Sequence, residues 1–307
     1  MRDRDGKWWD GKWWPTKGPP PLLGRESELG VLRHAITTGV TGAGRVVLVE
    51  GDPGIGKSAL VASAIAASGV PSVSASTSPL NRRRPFALLV EALGGELGGL
   101  RRRGDAEAVG ADPPEADPPE ASDVAPGSGE AILSAFAELG ALGPMVVLLE
   151  DLHWADDATL ELLGAVGGSI LAEPTTLVCT ARRAPRSPEL SRLVTRWSRQ
   201  GVLTRVELGP LGAAECVALG EWLVGARFGA RLVEQVGRAG GNPLFVTELV
   251  AALVRDGSIQ AQGPAGVELA GGAKSATLPM TILHHLGRVL RAAAGGPRAW
   301  RLAPSAR

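Results

Sequence analysis

The chain has 307 residues, 32 of them basic and 32 acidic, with a formal net charge of zero and a pI near 6.9. That balance excludes a chain that coats nucleic acid or an anionic membrane through bulk charge. Two cysteines, Cys179 and Cys216, are too few for a disulfide framework, and no apolar run is long enough to span a bilayer. The expectation is a cytoplasmic protein with no membrane partner, no direct nucleic-acid site and no secretory leader.

Residues 1–20 carry a perfect tandem copy, Asp5-Gly6-Lys7-Trp8-Trp9 and Asp10-Gly11-Lys12-Trp13-Trp14, followed by Pro19, Pro20 and Pro21. A second copied pair, Ala111–Glu115 and Ala116–Glu120, lies in a proline- and acid-rich stretch. Two such duplications favour a disordered tail and a linker over a tryptophan-based anchor. Arg45–Glu50 is a β-branched run ending at glycine, which predicts a buried strand. Ser58–Ala67 predicts a helix, Val73–Ser78 a weaker strand, and Pro85–Leu93 a short helix with proline in its first turn. Beyond the linker, Glu130–Leu139 reads as a helix and Met145–Leu149 as a second buried strand. Asp157–Val166 reads as a helix with Asp156 as its N-cap. Thr175–Thr180 and Val202–Leu208 are two more strands. Strands alternating with helices imply a parallel sheet covered on both faces. From Gly212 the pattern turns helical, with helices at Gly212–Val224, Ala230–Gly237 and Leu244–Arg255. A Gly/Ala-rich loop, a helix near Met280–Arg291 and a Gly-, Arg- and Pro-rich end follow.

The chemistry concentrates in a few places. Gly51-Asp52-Pro53-Gly54-Ile55-Gly56-Lys57-Ser58, with Ala59 next, matches G-x-x-x-x-G-K-[ST] between a strand and a helix. Glycines permit the dihedrals that turn backbone N–H groups toward phosphate oxygens, and the helix N-terminus adds its dipole. Lys57 would bridge the β- and γ-phosphates, and the Ser58 hydroxyl would ligate Mg²⁺. The strand MVVLL ends in Glu150-Asp151, two acids that can hold Mg²⁺ and orient or deprotonate an attacking water. The longer acid comes first, and the residue order leaves open which acid takes which role. Thr180 and Arg182 end the third strand, where they can reach a γ-phosphate; a plain surface arginine is the alternative, since Arg183 and Arg186 stand beside it. His153, and the adjacent His284 and His285, lack ligand spacing and are assigned to no metal. Arg82–Arg84 and Arg101–Arg103 read as solvated surface. The chain keeps only five lysines against 27 arginines, and two asparagines. Lys57 and Asn242 are therefore residues of types it otherwise avoids.

In this order the pieces resemble the signal-transduction ATPases with numerous domains, the STAND class of AAA-like P-loop NTPases. They are similar above all to the ATPase module of large LuxR-type, MalT-like bacterial transcriptional regulators. The resemblance rests on Leu22-Leu23-Gly24-Arg25-Glu26-Ser27-Glu28-Leu29, the phosphate loop, and Leu148-Leu149-Glu150-Asp151-Leu152-His153-Trp154-Ala155-Asp156. Cys179-Thr180-Ala181-Arg182 and Gly241-Asn242-Pro243-Leu244-Phe245 complete it. It implies an α/β fold, a P-loop NTPase parallel sheet sandwiched by helices and followed by a small helical lid. By that likeness residues 21–209 form the ATPase domain (with a linker at 104–128), 210–257 the lid, and 258–307 the incomplete start of a following helical region. No helix-turn-helix pattern is visible in that last stretch. The resemblance further implies ATP/ADP and Mg²⁺ as cofactors, Leu23, Gly24 and Arg25 near the adenine, Arg182 sensing the γ-phosphate, and Pro243 over the base. The implied activity is a slow, switch-like ATPase whose partners, besides nucleotide, are an effector or a second copy. The competing functions are an origin-recognition-like DNA-associated ATPase, a metabolic kinase, and a non-hydrolysing nucleotide-binding module.

Overall fold

The apolar runs RVVLVE and MVVLL become strands of one five-stranded parallel sheet, β1 (Arg45–Gly51), β2 (Ser72–Ser76), β3 (Met145–Glu150), β4 (Thr175–Ala181) and β5 (Leu203–Leu208). The structure is a computed structural model, and it describes residues 20–42, 44–79, 84–93, 129–170, 174–262 and 266–270. The sheet order is β2-β3-β4-β1-β5. The acid-ending strand β3 and the phosphate-loop strand β1 are separated by β4. Both copied repeats, the linker at 104–128, the triplet Arg101–Arg103, Arg82, Arg83, His284, His285 and the helix expected near Met280–Arg291 lie outside the described residues.

Two compact units are recognised. One holds residues 26–51 and 57–208, the other 20–25, 52–56 and 209–270 among the described residues. In the first, strand parity sorts the side chains. Val46 and Leu48 of β1, Val147 and Leu149 of β3, and Leu177 and Cys179 of β4 share one core cluster with Leu163 and Trp197. On that face lie α3 (Gly129–Ala141), α4 (Asp157–Ile170) and α5 (Pro188–Arg199). The opposite face meets α1 (Glu26–Thr41) and α2 (Lys57–Ser68), where Thr176 Oγ1 donates to the Ile36 carbonyl at 3.3 Å. Trp197 is wholly buried and donates through Nε1 to the Leu163 carbonyl at 3.3 Å. Gly164 and Gly167 of α4 leave room for it and for Arg196. A buried aromatic of this size contributes about 3–5 kcal/mol.

Two of these helices bury apolar residues at a helical spacing that the sequence itself carries. Leu190, Leu193, Val194 and Trp197 of α5 are buried at helical spacing. Its Ser187 N-cap accepts from the Leu190 N–H at 3.1 Å, and Pro188 starts it. The surrounding arginines and serines mask the period. Helix α1 buries Leu32, Ala35, Ile36, Gly39 and Val40 by the same spacing. The expected N-cap at Asp156 is present, its Oδ1 accepting from Thr159 N–H at 2.9 Å.

The second unit packs α6 (Ala213–Val224), α7 (Ala230–Gly237) and α8 (Pro243–Arg255) around Leu219, Leu232, Val246 and Leu253. The stretch read as a Gly/Ala-rich loop instead supplies strands. β6 (Arg227–Phe228), β7 (Ile259–Gln262) and β8 (Gly266–Leu269) form a small sheet in the order β6-β8-β7. Val267 of β8 is fully buried in this core, and Glu268 accepts from the Leu232 N–H at the start of α7 at 3.0 Å. The alternation is too short, and too interrupted by glycine, to stand out as a strand pair in sequence.

Candidate functional site

In the sheet unit the site residues cluster at the C-terminal strand ends. Lys57 opens α2, is 9 % exposed, and its Nζ donates to the Gly51 carbonyl at 3.0 Å. Ser58 Oγ donates to Glu150 Oε1 at 2.5 Å. Glu150 has the parity of Val146, not of Val147 and Leu149, so it leaves β3 on the face where α2 lies and reaches across the width of β4. Asp151 follows in the left-handed region (φ 60°, ψ 40°), an uncommon place for a non-glycine residue, and its N–H donates to Thr180 Oγ1 at 2.9 Å. Thr180 therefore holds the acidic turn, a backbone role beside the expected phosphate role. Burial raises the Asp151 carboxyl above its ordinary range and Glu150 adds to that, while Lys57 and Arg182 oppose it.

His153 has a 6 % exposed side chain with neither ring nitrogen hydrogen-bonded, and its Nδ1 stands 3.8 Å from Asp151 Oδ1. Burial first, then Arg182 and Lys57, lower its pKa to about 3, so it is neutral. Its ring centre is 5.0 Å from that of Trp154. The Arg182 guanidinium lies over Trp154, 5.3 Å from the ring centre, within cation–π range. Burial lowers the Arg182 pKa and Asp151 opposes the shift, though an arginine stays charged. The neighbouring arginines go elsewhere. Arg186 Nη2 donates to Glu50 Oε1, and Arg183 Nη2 to Glu207 Oε2 at 2.6 Å. Of the three, Arg182 is the one brought to the acids and Trp154. Sequence gave no means of sorting them.

The helical unit contains the loop residues Asp52, Pro53, Gly54, Ile55 and Gly56. Gly54 and Gly56 have φ of 75° and 100°, which glycine adopts without strain. Asn242 Nδ2 donates to the Pro53 carbonyl at 2.9 Å, and the Leu244 N–H donates to the Gly54 carbonyl at 3.2 Å and to Asn242 Oδ1 at 3.0 Å. Pro243 begins α8 at its first turn with Asn242 as N-cap. Gly241 has φ of 77°, and a Cβ there would stand 2.5 Å from the Leu211 carbonyl oxygen. Each letter of the GNPL string thus has a local cause. Leu23 packs against the core of this unit, Gly24 (φ 60°) lies against the Glu215 side chain, and Arg25 Nη2 donates to the Gly209 carbonyl at 2.5 Å. Ala59 lies in the first turn of α2 and is exposed.

Among the described residues no group of three or more His, Cys, Asp or Glu side chains could enclose a metal. The adjoining Ser58 hydroxyl and Glu150 carboxylate are hard oxygen donors, the small protein contribution that Mg²⁺ takes when phosphates and water supply the rest. Those donors fit that ion. Cys179 is buried in the sheet and burial pushes its thiol up, so it plays no nucleophilic part.

A strand, a G-x-x-x-x-G-K-S loop and a helix, with an acidic strand end and a Thr-Ala-Arg strand end set in a parallel sheet, define a P-loop nucleoside triphosphatase. The chain belongs to the AAA ATPase domain family, whose model matches residues 21–177. It is an ATP-binding AAA module and an ATPase. It is 28% identical over 274 residues to the uncharacterized protein R02095 of Rhizobium meliloti (strain 1021), a match covering 75% of this chain and 25% of that protein. The chain thus spans about a quarter of the length of that relative. Among solved structures it is similar to the Walker-type ATPase paby2304 of Pyrococcus abyssi, with a TM-score of 0.52 and 14% identity over 77% of this chain and 69% of that one. Cdc6p from Pyrobaculum aerophilum gives 0.53 and 12% over 80% and 66%. The Aeropyrum pernix ORC1 protein, solved in complex with DNA, gives 0.51 and 16% over 79% and 62%. At these identities the likeness is one of fold. No helix among the described residues is long and apolar enough to cross a membrane.

Proposed function

We propose that the chain is a nucleotide-state switch, a slow Mg-ATPase similar to the STAND modules of LuxR-type, MalT-like regulators. One observation carries the reading: loop residues 52–56 belong to the compact unit built from the GNPLF helix. A loop gripped in this way passes its state to the helical unit, so exchange of ADP for ATP is felt there.

Roles divide between the two acids. Ser58 and Glu150, 2.5 Å apart, would hold Mg²⁺, which supplies charge neutralisation at the β- and γ-phosphates. Asp151, whose raised pKa suits a proton acceptor, orients the attacking water and takes its proton as the γ-phosphoryl bond to ADP breaks. Lys57 leaves the Gly51 carbonyl for the phosphates, and Arg182 exchanges the Trp154 face for the γ-phosphate. Leu23, Gly24, Arg25 and Pro243 border the base. An effector protein or a second copy is the partner that reads the switch. Nucleic acid is not assigned to residues 20–270. The origin-recognition-like reading shares the fold and predicts salt-sensitive binding of duplex DNA.

Calorimetric titration with Mg-ATP and ADP, paired with single-turnover hydrolysis, tests the proposal. Wild type is expected to bind both nucleotides and to turn over on the order of 10⁻² s⁻¹ or slower, the range of P-loop switches acting unaided. Lys57→Ala should lose binding. Asp151→Asn should keep it while hydrolysis falls about 10²–10⁴-fold. Rapid multiple turnover, or unchanged ATP affinity in Lys57→Ala, would sink the reading.

A further inference from the structure

We propose that Asn242 is a positioning residue for phosphate binding, acting through the carbonyls of the phosphate loop rather than through the nucleotide. A loop binds phosphate by turning N–H groups inward, and each N–H shares a rigid peptide plane with the carbonyl of the residue before it. Turning the amides in turns the carbonyls out, where each needs a partner. Here the Pro53 carbonyl takes the Asn242 amide at 2.9 Å and the Gly54 carbonyl takes the Leu244 N–H at 3.2 Å. These two bonds fix the Pro53–Gly54 and Gly54–Ile55 planes. The second plane also closes a turn, Ile55 N–H to Asp52 carbonyl, at 3.3 Å. With both planes pinned, the path of the backbone from Pro53 into Gly56 is set.

The residue types argue for this role over simple helix capping. Ser, Thr and Asp cap a helix as well as Asn does. Of these cap residues only Asn carries the two functions on separate atoms, Oδ1 accepting from the Leu244 N–H at 3.0 Å while Nδ2 donates to the Pro53 carbonyl. Asn242 is one of just two asparagines in the chain. The loop is shaped to receive it, because a Cβ at Gly54 would stand 2.6 Å from Leu244 Cβ. Glycine at 54 and leucine at 244 are two halves of one contact.

The proposal rests on nucleotide phosphates occupying this loop, and one experiment separates the two claims. In the full chain, Asn242→Ser keeps a capping acceptor and removes the Nδ2 amide that reaches the Pro53 carbonyl, leaving one shorter hydroxyl in place of two separate polar atoms. ATP and inorganic tripolyphosphate are titrated calorimetrically against wild type, with the ligand-free thermal midpoint measured alongside. The expected result is a loss of about tenfold in affinity for both ligands, as one hydrogen bond predicts. The factor is the same for tripolyphosphate because the defect lies at the phosphates, not the base. Leu249→Ala, in the core of the same helix, lowers the midpoint but keeps the clamp and should leave tripolyphosphate affinity as in wild type. Equal tripolyphosphate affinity in wild type and Asn242→Ser overturns the role of Asn242. So does an equal loss in Leu249→Ala, which would make the effect one of stability. No tripolyphosphate or ATP binding by wild type overturns the phosphate-site reading itself.

Discussion

Two glutamates end neighbouring regions of the same sheet and meet opposite fates. Glu50 closes β1 with the parity of Val46 and Leu48, is fully buried, and is neutralised by arginine. Its Oε1 pairs with Arg186, and its Oε2 accepts from Arg205 Nε and Nη2 at 3.2 and 2.7 Å. Glu150 closes β3 on the other face, half-buried, where its carboxylate accepts from the neutral Ser58 hydroxyl at 2.5 Å. One step of strand register separates the two outcomes. A carboxylate saturated by guanidinium groups cements strand ends. One facing a hydroxyl keeps its charge available for a cation. The residue type does not decide function; the partner does.

The comparison breaks most visibly at Glu50. Glu50→Ala leaves Arg186 and Arg205 facing each other without the carboxylate between them. Removing one partner of a buried ion pair costs about 3–5 kcal/mol, and the lower end applies because Arg205 is 42% exposed. Urea denaturation should show that loss, while ATP turnover per folded molecule stays near wild type below the transition. A midpoint indistinguishable from wild type would mean that the arginines find equivalent partners and that the cluster is ornamental.

This asymmetry marks where sequence reading succeeds and where it stops. Strands β1, β3 and β4 were legible because buried parallel strands are continuous apolar runs, and the loop was legible because its glycines and Lys57 stand in fixed order. The acids at 150 and 151 were found by the same logic. The division of roles proposed for them was not, because it rests on which face of the sheet each leaves by and on β4 lying between β3 and β1. The partners of Arg182, Arg183 and Arg186 are likewise long-range: Trp154, Glu207 and Glu50. Nothing in a run of arginines announces them. The GNPLF string was legible as a motif but not as a clamp, since the donor–acceptor pair joins residues 53 and 242. Helix α5 carried an adequate signal that arginine-rich composition obscured.

At Glu150 the expected effect is smaller in stability and specific in chemistry. Glu150→Gln removes the charge but keeps a hydrogen-bonding partner for Ser58, so folding stability should change by no more than about 0.5 kcal/mol. The Mg²⁺ concentration that half-saturates ATP hydrolysis should rise by about tenfold or more, because a charged ligand is lost from a site with few. Affinity for ADP without Mg²⁺ should hold. A Mg²⁺ titration of the rate reads this directly. Unshifted Mg²⁺ dependence in Glu150→Gln would move the metal role to Asp151 and erase the contrast with Glu50.

The finest test lies at the rim of the Glu50 cluster. Arg205 Nη2 also reaches Glu207 Oε1 at 3.1 Å, and Arg183 binds the other Glu207 oxygen at 2.6 Å. Arg183 and Glu207 are 62% and 41% exposed, so water screens their attraction and substitutes for either partner. Exposed pairs of this kind contribute about 0–1 kcal/mol. Arg183→Ala should therefore shift the urea midpoint by roughly 0.5 kcal/mol or less, and half-molar salt should shrink the shift further. If Arg183→Ala costs as much as Glu50→Ala, the five charges act as one network. Burial would then not be what separates Glu50 from its neighbours, and the availability of Glu150 would have to rest on geometry alone.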